Sequence, residues 1–153
     1  MQYTQELAFA KKMASEAGEI MRKFYRGNQK ITIKKDRSPV TVADQTINEL
    51  LIQNVQQEFP THGVLGEEAS WEPRRTHVWV CDPIDGTVAY ILHLPTSMFS
   101  LAFVIDGQPV VAVAFNPWTN ELYWAVKDGG AWRNEEKIYV SQKKWEAGVH
   151  LAG

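Results

Sequence analysis

The dipeptide Asp106-Gly107, which separates two apolar runs, constrains the fold of this chain more than any other feature. The runs are residues 98–105 and 109–115. Asp-Gly between two such runs is a strong β-hairpin signal, because the turn requires positive φ values that these residues tolerate. Shorter runs bounded by turn residues predict further strands at 31–34, 64–66, 76–81, 121–126, 131–133 and 137–140. The second half of the chain is therefore expected to form a mainly antiparallel sheet.

Two amphipathic helices are predicted before most of these strands. Apolar residues recur at helical spacing from Leu7 to Phe24 and again from Ile47 to Phe59. Ahead of the second helix, Thr41 and Asp44 have the spacing of a capping box. Helices followed by strands indicate an α+β fold, with the two N-terminal helices packed on the sheet. We expect one domain over residues 1–153.

Composition excludes several classes of protein. The chain has 153 residues and a formal net charge of −2, so it has no general electrostatic attraction to nucleic acid or anionic lipid. It contains no apolar run long enough to span a membrane and no secretory signal pattern. Cys81 is the only cysteine, so no internal disulfide can form. These features predict a cytoplasmic protein without nucleic-acid or membrane partners.

The string Asp82-Pro83-Ile84-Asp85-Gly86-Thr87 carries the chemistry of the chain. Two carboxylates three residues apart around a tight bend can point into one small space, where a hard divalent cation would offset their repulsion. The Ile84 carbonyl lies between them, and Gly86 and Thr87 could present amides to a phosphate. The alternative is structural: a strand, then an Asp-Gly turn, with Thr87 as a helix cap.

Three further acids precede this string. Glu67 and Glu68 follow Gly66 in a polar loop, and two adjacent acids in a loop are often only solvated. Asp44 could serve as the third residue of its helix in the capping box. A residue in the first turn of a helix can also face a site, so the two roles of Asp44 are compatible.

Together these motifs resemble the inositol monophosphatase family, a group of metal-dependent, often lithium-sensitive phosphatases. The similar stretches lie at residues 38–44, 66–68, 82–87, 116–117 and 130–141. The resemblance covers nearly the whole chain. It implies the first half of the sandwich fold of inositol monophosphatase and fructose bisphosphatase.

The resemblance also implies a magnesium site. Glu67, Asp82 and the Ile84 carbonyl would bind a first Mg²⁺, Asp82 and Asp85 would bind a second, and Asp44 would lie near a weaker third position. The Gly86 and Thr87 amides would bind the substrate phosphate. Thr87 and Glu67 would act as the catalytic residues that position the attacking water.

The chain departs from the family pattern in its length. Family members carry a C-terminal domain with a Trp-Asp motif, and the closest string here is Trp145-Glu146. We therefore expect that domain to be absent. After Thr87 the common Asn-Phe is replaced by Ala89-Tyr90, which keeps the aromatic ring and loses an amide.

Two hypotheses follow. The first is a magnesium-dependent phosphomonoesterase that hydrolyses a small phosphorylated metabolite, such as an inositol monophosphate or a nucleotide phosphate. The second is a truncated half-protein with weak or no catalysis, which binds metal and self-associates, as a homodimer, through the sheet face that a second domain would cover.

Overall fold

The computed structural model describes residues 2–27, 29–72 and 76–142. Within them the helices are α1 (Thr4–Tyr25), α2 (Val42–Glu58) and α3 (Thr87–Ile91). The strands are β1 (Thr32–Ile33), β2 (Pro39–Val40), β3 (Gly63–Gly66), β4 (Ser70–Trp71), β5 (His77–Asp85), β6 (Met98–Ile105), β7 (Gln108–Asn116), β8 (Glu121–Val126), β9 (Gly130–Arg133) and β10 (Glu136–Ile138). Trp145 and Glu146, which we compared with the family motif, lie outside the described residues.

Eight strands form one sheet in the order β10-β9-β8-β7-β6-β5-β3-β4. All neighbours pair antiparallel except β3 and β5, which are parallel. The predicted hairpin connects β6 and β7, and both Asp106 and Gly107 have positive φ, at 48° and 78°. The α+β prediction is confirmed, whereas the parallel pair and strand β4 were not predicted.

Helices α1 and α2 pack on one face of the sheet and bury its alternate residues. Phe99, Leu101 and Phe103 of β6 point into this core, each at most 2% exposed. On α1 the inward face carries small residues where it approaches the sheet, and a side chain at Gly18 would overlap the ring of Phe115. Among the described residues, no helix is both long and apolar enough to cross a membrane.

The capping box at the start of α2 is present. Thr41 is the N-cap, and its backbone amide and hydroxyl both donate to Asp44 Oδ2, at 2.8 and 2.5 Å. Thr41 and Asp44 are buried, at 1% and 0% exposure. The cap therefore fixes both the start of the helix and the direction of the Asp44 carboxylate.

Strand β5 is longer than the sequence predicted. We expected it to stop at Asp82-Pro83, but it continues to Asp85. Asp82 pairs with Ser100 and Asp85 with Met98, so β5 has one residue more than β6 across this interval. Proline has no amide hydrogen for the ladder, and a bulge accommodates the extra residue.

Candidate active site

The parallel pairing of β3 with β5 brings two acids together. Gly66 is the register partner of Cys81, and the Glu67 amide donates to the Cys81 carbonyl at 3.2 Å. Glu67 and Asp82 are therefore the next residues on two adjacent parallel strands, where ligand sites in such sheets are common. They are fifteen positions apart in sequence but are neighbours in space.

Asp82 is a partly buried carboxylate in an acidic environment. Burial, the charge of Glu67 with a hydrogen bond to it, and the charge of Asp85 raise the Asp82 pKa to about 7. Its Oδ1 is buried and accepts no hydrogen bond from any residue in the described ranges. An orphaned buried carboxylate oxygen among like charges is costly unless a cation or a proton compensates it.

The bulge and the turn after it place Thr87 beside Asp44. Gly86 has φ 85° and ψ 44°, a left-handed conformation that suits glycine, and it is the N-cap residue of α3. The Thr87 hydroxyl lies 3.1 Å from the Ile84 carbonyl and 3.4 Å from Asp44 Oδ1, and it can donate to either. The capped start of α2 and the turn after β5 thus meet at Thr87.

The two oxygens of Asp44 have different environments. Oδ2 is held by Thr41, whereas Oδ1 faces Thr87. Burial raises the Asp44 pKa, the Thr41 hydrogen bonds oppose that rise, and the charge of Glu68 adds to it. Asp44 therefore caps the helix and also lies near other acids of the site, such as Glu68. The sequence allowed both roles.

Lys34 forms ion pairs with two of the acids, Glu67 and Glu68. Its ammonium group lies 2.9 Å from both Glu67 Oε1 and Glu68 Oε1. Burial lowers the Lys34 pKa, but the hydrogen bonds and charges of the two glutamates outweigh it, so the net shift is upward. The hairpin of β1 and β2 folds this lysine onto the two glutamates.

The ligand atoms predicted at this site are of the kind that a hard divalent cation prefers. All the predicted ligands offer carboxylate or carbonyl oxygens, and the orphaned Asp82 Oδ1 lacks a partner. In the described part of the chain, no three His, Cys, Asp or Glu side chains converge closely enough to form a ready coordination group.

Aromatic packing fixes α3 against the core. The Tyr90 hydroxyl donates to the Met21 carbonyl of α1 at 2.8 Å, and Tyr90 is fully buried. Beside it, the Trp118 indole donates to Ser97, whose Cα and Cβ lie under Gly86. Tyr90 thus fills the position at which we expected an aromatic ring.

Sequence reasoning missed Asn48. This residue of α2 is fully buried and donates to the Ala69 carbonyl, at the end of the loop that carries Glu67 and Glu68. Its place one helical turn after Asp44 is a signal that could have indicated it, because residues four apart share a helix face.

The model of the inositol monophosphatase family matches residues 2–152. The inositol-1-monophosphatase of Rhizobium meliloti is 34% identical over 137 residues, which cover 88% of this chain and 49% of that protein. The histidinol-phosphatase of Chlorobaculum parvum is 33% identical over 140 residues, covering 90% and 54%.

Among solved structures, the IMPase of Thermotoga maritima superposes with a TM-score of 0.85 at 28% identity. The match covers 91% of this chain and 55% of that one. The chain thus spans about half the length of the curated relatives it matches.

Proposed function

The chain belongs to the inositol monophosphatase family, and from that premise we propose that it is a magnesium-dependent phosphomonoesterase. The proposal is supported by one observation: Asp82 Oδ1 is buried without a hydrogen-bond partner among the described residues, and the charges of Glu67 and Asp85 act on this carboxyl group. This cluster combines hard oxygen donors with a short helix start. The reaction is the hydrolysis of a small phosphate monoester by water.

We assign the metal ions to carboxylate and carbonyl oxygens around Asp82. Glu67, Asp82 and the Ile84 carbonyl would hold one Mg²⁺, Asp82 and Asp85 would hold a second, and Asp44 would lie near a weaker third position. When bound, Mg²⁺ lowers the pKa of water and stabilises charge on the phosphoryl oxygens. The chain offers Asp82 for this task because its buried Oδ1 lacks any other partner among the described residues.

Thr87 and Gly86 act on the substrate and the water. Their backbone amides would bind the phosphate, so that the phosphorus faces the acids. The Thr87 hydroxyl has a single proton, which Ile84 O or Asp44 Oδ1 can accept, and its lone pairs remain to accept from a water. With Glu67 it orients that water for attack. The water oxygen bonds to phosphorus as the ester P–O bond breaks; one proton of that water ends on the leaving alcohol oxygen, by way of solvent, and the other stays on the released phosphate.

Substrate choice is proposed only at the level of chemical class. The relatives include enzymes named for inositol phosphate and for histidinol phosphate. Both names describe a phosphate monoester of a small polar alcohol. We therefore propose an ester of this size, inositol monophosphate-like or a nucleotide phosphate.

The test is phosphate release from inositol monophosphate, a phosphoadenosine and an aryl phosphate, with and without Mg²⁺. We expect Mg²⁺-dependent release from at least one ester. In Thr87→Val it should fall about 100-fold, the scale on which a misplaced reactant slows an enzyme. Thr87→Ser keeps the hydroxyl and is the matched control. Release that does not need Mg²⁺, or equal release by Thr87→Val, would contradict the proposal.

A second candidate function, self-association, is favoured by the face of the sheet that lies away from the helices. Register partners across seven strands form one continuous row on the side away from α1 and α2. The row, which we call the far-face row, consists of Leu65, Val80, Ala102, Ala112, Ala125, Ala131 and Ile138. Every member is apolar, and Leu65 and Val80 are 48% and 37% exposed.

An apolar row of this length is typical of an interface rather than of a solvated surface. A shallow depression of about 210 Å³ lies along it, lined in part by Ala112, Ala125 and Ile138. We propose that a second copy of the chain packs on this face, giving a homodimer. Light scattering should then show a dimer, which Ala112→Lys should dissociate and the exposed-helix control Gln53→Lys should not. A monomer at all concentrations would contradict this candidate.

A further inference from the structure

Asn48 anchors the loop that carries two of the acids. It projects from α2 and is fully buried. Its Nδ2 donates to the Ala69 carbonyl at 2.9 Å, across 21 residues of sequence. A buried amide bonded to a loop carbonyl fixes the loop more firmly than a surface contact, because water cannot replace the lost partner.

The other end of the same loop also lies against Asn48. A Cβ at Gly66 would overlap Asn48 Oδ1 and would stand 2.5 Å from the Ala69 carbonyl oxygen. Only glycine therefore allows the chain to pass this close to the amide. Gly66 and Ala69 both touch Asn48, and Glu67 and Glu68 lie between them.

The remaining contacts show what this anchorage controls. The Glu67 amide donates to the Cys81 carbonyl, which sets Glu67 beside Asp82. On the solvent side Lys34 bonds both glutamates. The loop is therefore held at three points. Lys34 and the hydrogen bond between β3 and β5 supply two of them, and the buried Asn48 amide supplies the third.

From these contacts we infer that Asn48 is a positioning residue, which holds the loop so that the Glu67 carboxylate faces Asp82. The inference deepens the proposed function and rests on it, because it makes the metal affinity of the Glu67–Asp82 pair depend on Asn48. Asn48 touches neither substrate nor metal and acts only through the loop. Residues that orient metal ligands in this way commonly change metal affinity 10- to 100-fold when replaced.

The experiment measures Mn²⁺ binding by electron paramagnetic resonance of the free ion. Mn²⁺ favours the same oxygen ligands as Mg²⁺. We compare the unmodified chain with Asn48→Leu and Asn48→Ala. The matched control is Asn54→Leu, because Asn54 lies on the same helix but donates to Leu50 within it. We expect the Asn48 variants to bind Mn²⁺ about 10-fold more weakly or worse, and Asn54→Leu to bind it unchanged.

Hydrogen exchange of the Glu67 amide, measured without metal, is the second readout. Loss of the anchor should speed its exchange in the Asn48 variants and leave it unchanged in Asn54→Leu. Unchanged Mn²⁺ affinity in folded Asn48 variants would overturn the inference. If Asn48→Leu does not fold, Asn48→Ala decides the question, because it introduces no larger group.

The same data separate this inference from the proposed function. If the unmodified chain binds no Mn²⁺, the proposed metal site fails. Glu67 exchange then still decides the anchoring role, since unchanged exchange refutes it and faster exchange supports it. If the unmodified chain binds Mn²⁺ and the Asn48 variants bind it equally well, the metal site stands and the role of Asn48 falls.

Discussion

Replacing Thr41 with valine tests the link between the helix cap and the acidic site. Valine has nearly the shape of threonine but no hydroxyl. In the structure that hydroxyl donates to Asp44 Oδ2 at 2.5 Å, and both residues are buried. The substitution therefore removes one hydrogen bond to a buried carboxylate and the side-chain cap of α2, while the Thr41 backbone amide bond at 2.8 Å remains.

The expected loss of stability follows from these contacts. An N-cap side chain contributes about 1 kcal/mol, and a hydrogen bond to a charged group contributes roughly 1.5–3 kcal/mol. One hydroxyl performs both functions, so the two values overlap and the total is roughly 2–3 kcal/mol. For a domain of this size that corresponds to a fall in Tm of about 4–12 °C.

The assay is urea unfolding followed by tryptophan fluorescence, with Thr41→Ser as the control that keeps the hydroxyl. A double-mutant cycle with Asp44→Asn should give a coupling energy of about 1 kcal/mol or more, because the two residues are in contact. A Thr41→Val protein within about 0.5 kcal/mol of the unmodified chain would refute this reasoning, since changes that small are typical of surface positions. Additive effects in the cycle would refute it too.

Two further predictions concern the core. Gly18→Ala should destabilise the fold by about 1–3 kcal/mol in urea unfolding, because the new Cβ overlaps the Phe115 ring; Gly27→Ala, whose Cβ would meet nothing closer than 3.9 Å, should not destabilise it in this way. Burial, together with the charge of His77, lowers the His62 pKa. Below about pH 6.5 the unfolded chain therefore binds a proton that the folded chain excludes, and the free energy of unfolding falls as the pH falls. His62→Phe should lose this component, and identical pH dependences of the two proteins would contradict the assignment.

The parts of the fold that depend on local signals could be predicted from the sequence. The Asp106-Gly107 turn needs positive φ at both residues, and the capping box needs Thr41 and Asp44 at a fixed spacing, so short patterns suffice. The Gly86-Thr87 end of the next motif likewise indicated a turn, although the strand before it continues past the predicted end at Asp82-Pro83. These predictions are confirmed because neighbours in sequence determine them.

The missed features depend on contacts between distant segments. The pairing of β3 with β5 is parallel, and nothing in either strand's own pattern specifies direction. Lys34 reaches Glu67 across 33 residues, and Asn48 reaches Ala69 across 21. From the sequence alone, a lysine next to a turn is expected to be solvated, because the acid that it contacts comes from a distant segment. The roles of Glu67, Asp82, Asp85 and Thr87 in catalysis stay predictions.

The most direct test of the account is phosphate release by the Asp85→Asn variant across a Mg²⁺ titration, beside the unmodified chain. Asp85 is exposed, and asparagine has the same shape, so the variant should fold with an unchanged Tm. The account predicts Mg²⁺-dependent release by the unmodified chain and its loss in the variant, because one carboxylate charge is removed from the cluster. Equal release by the two proteins at every Mg²⁺ concentration would contradict it.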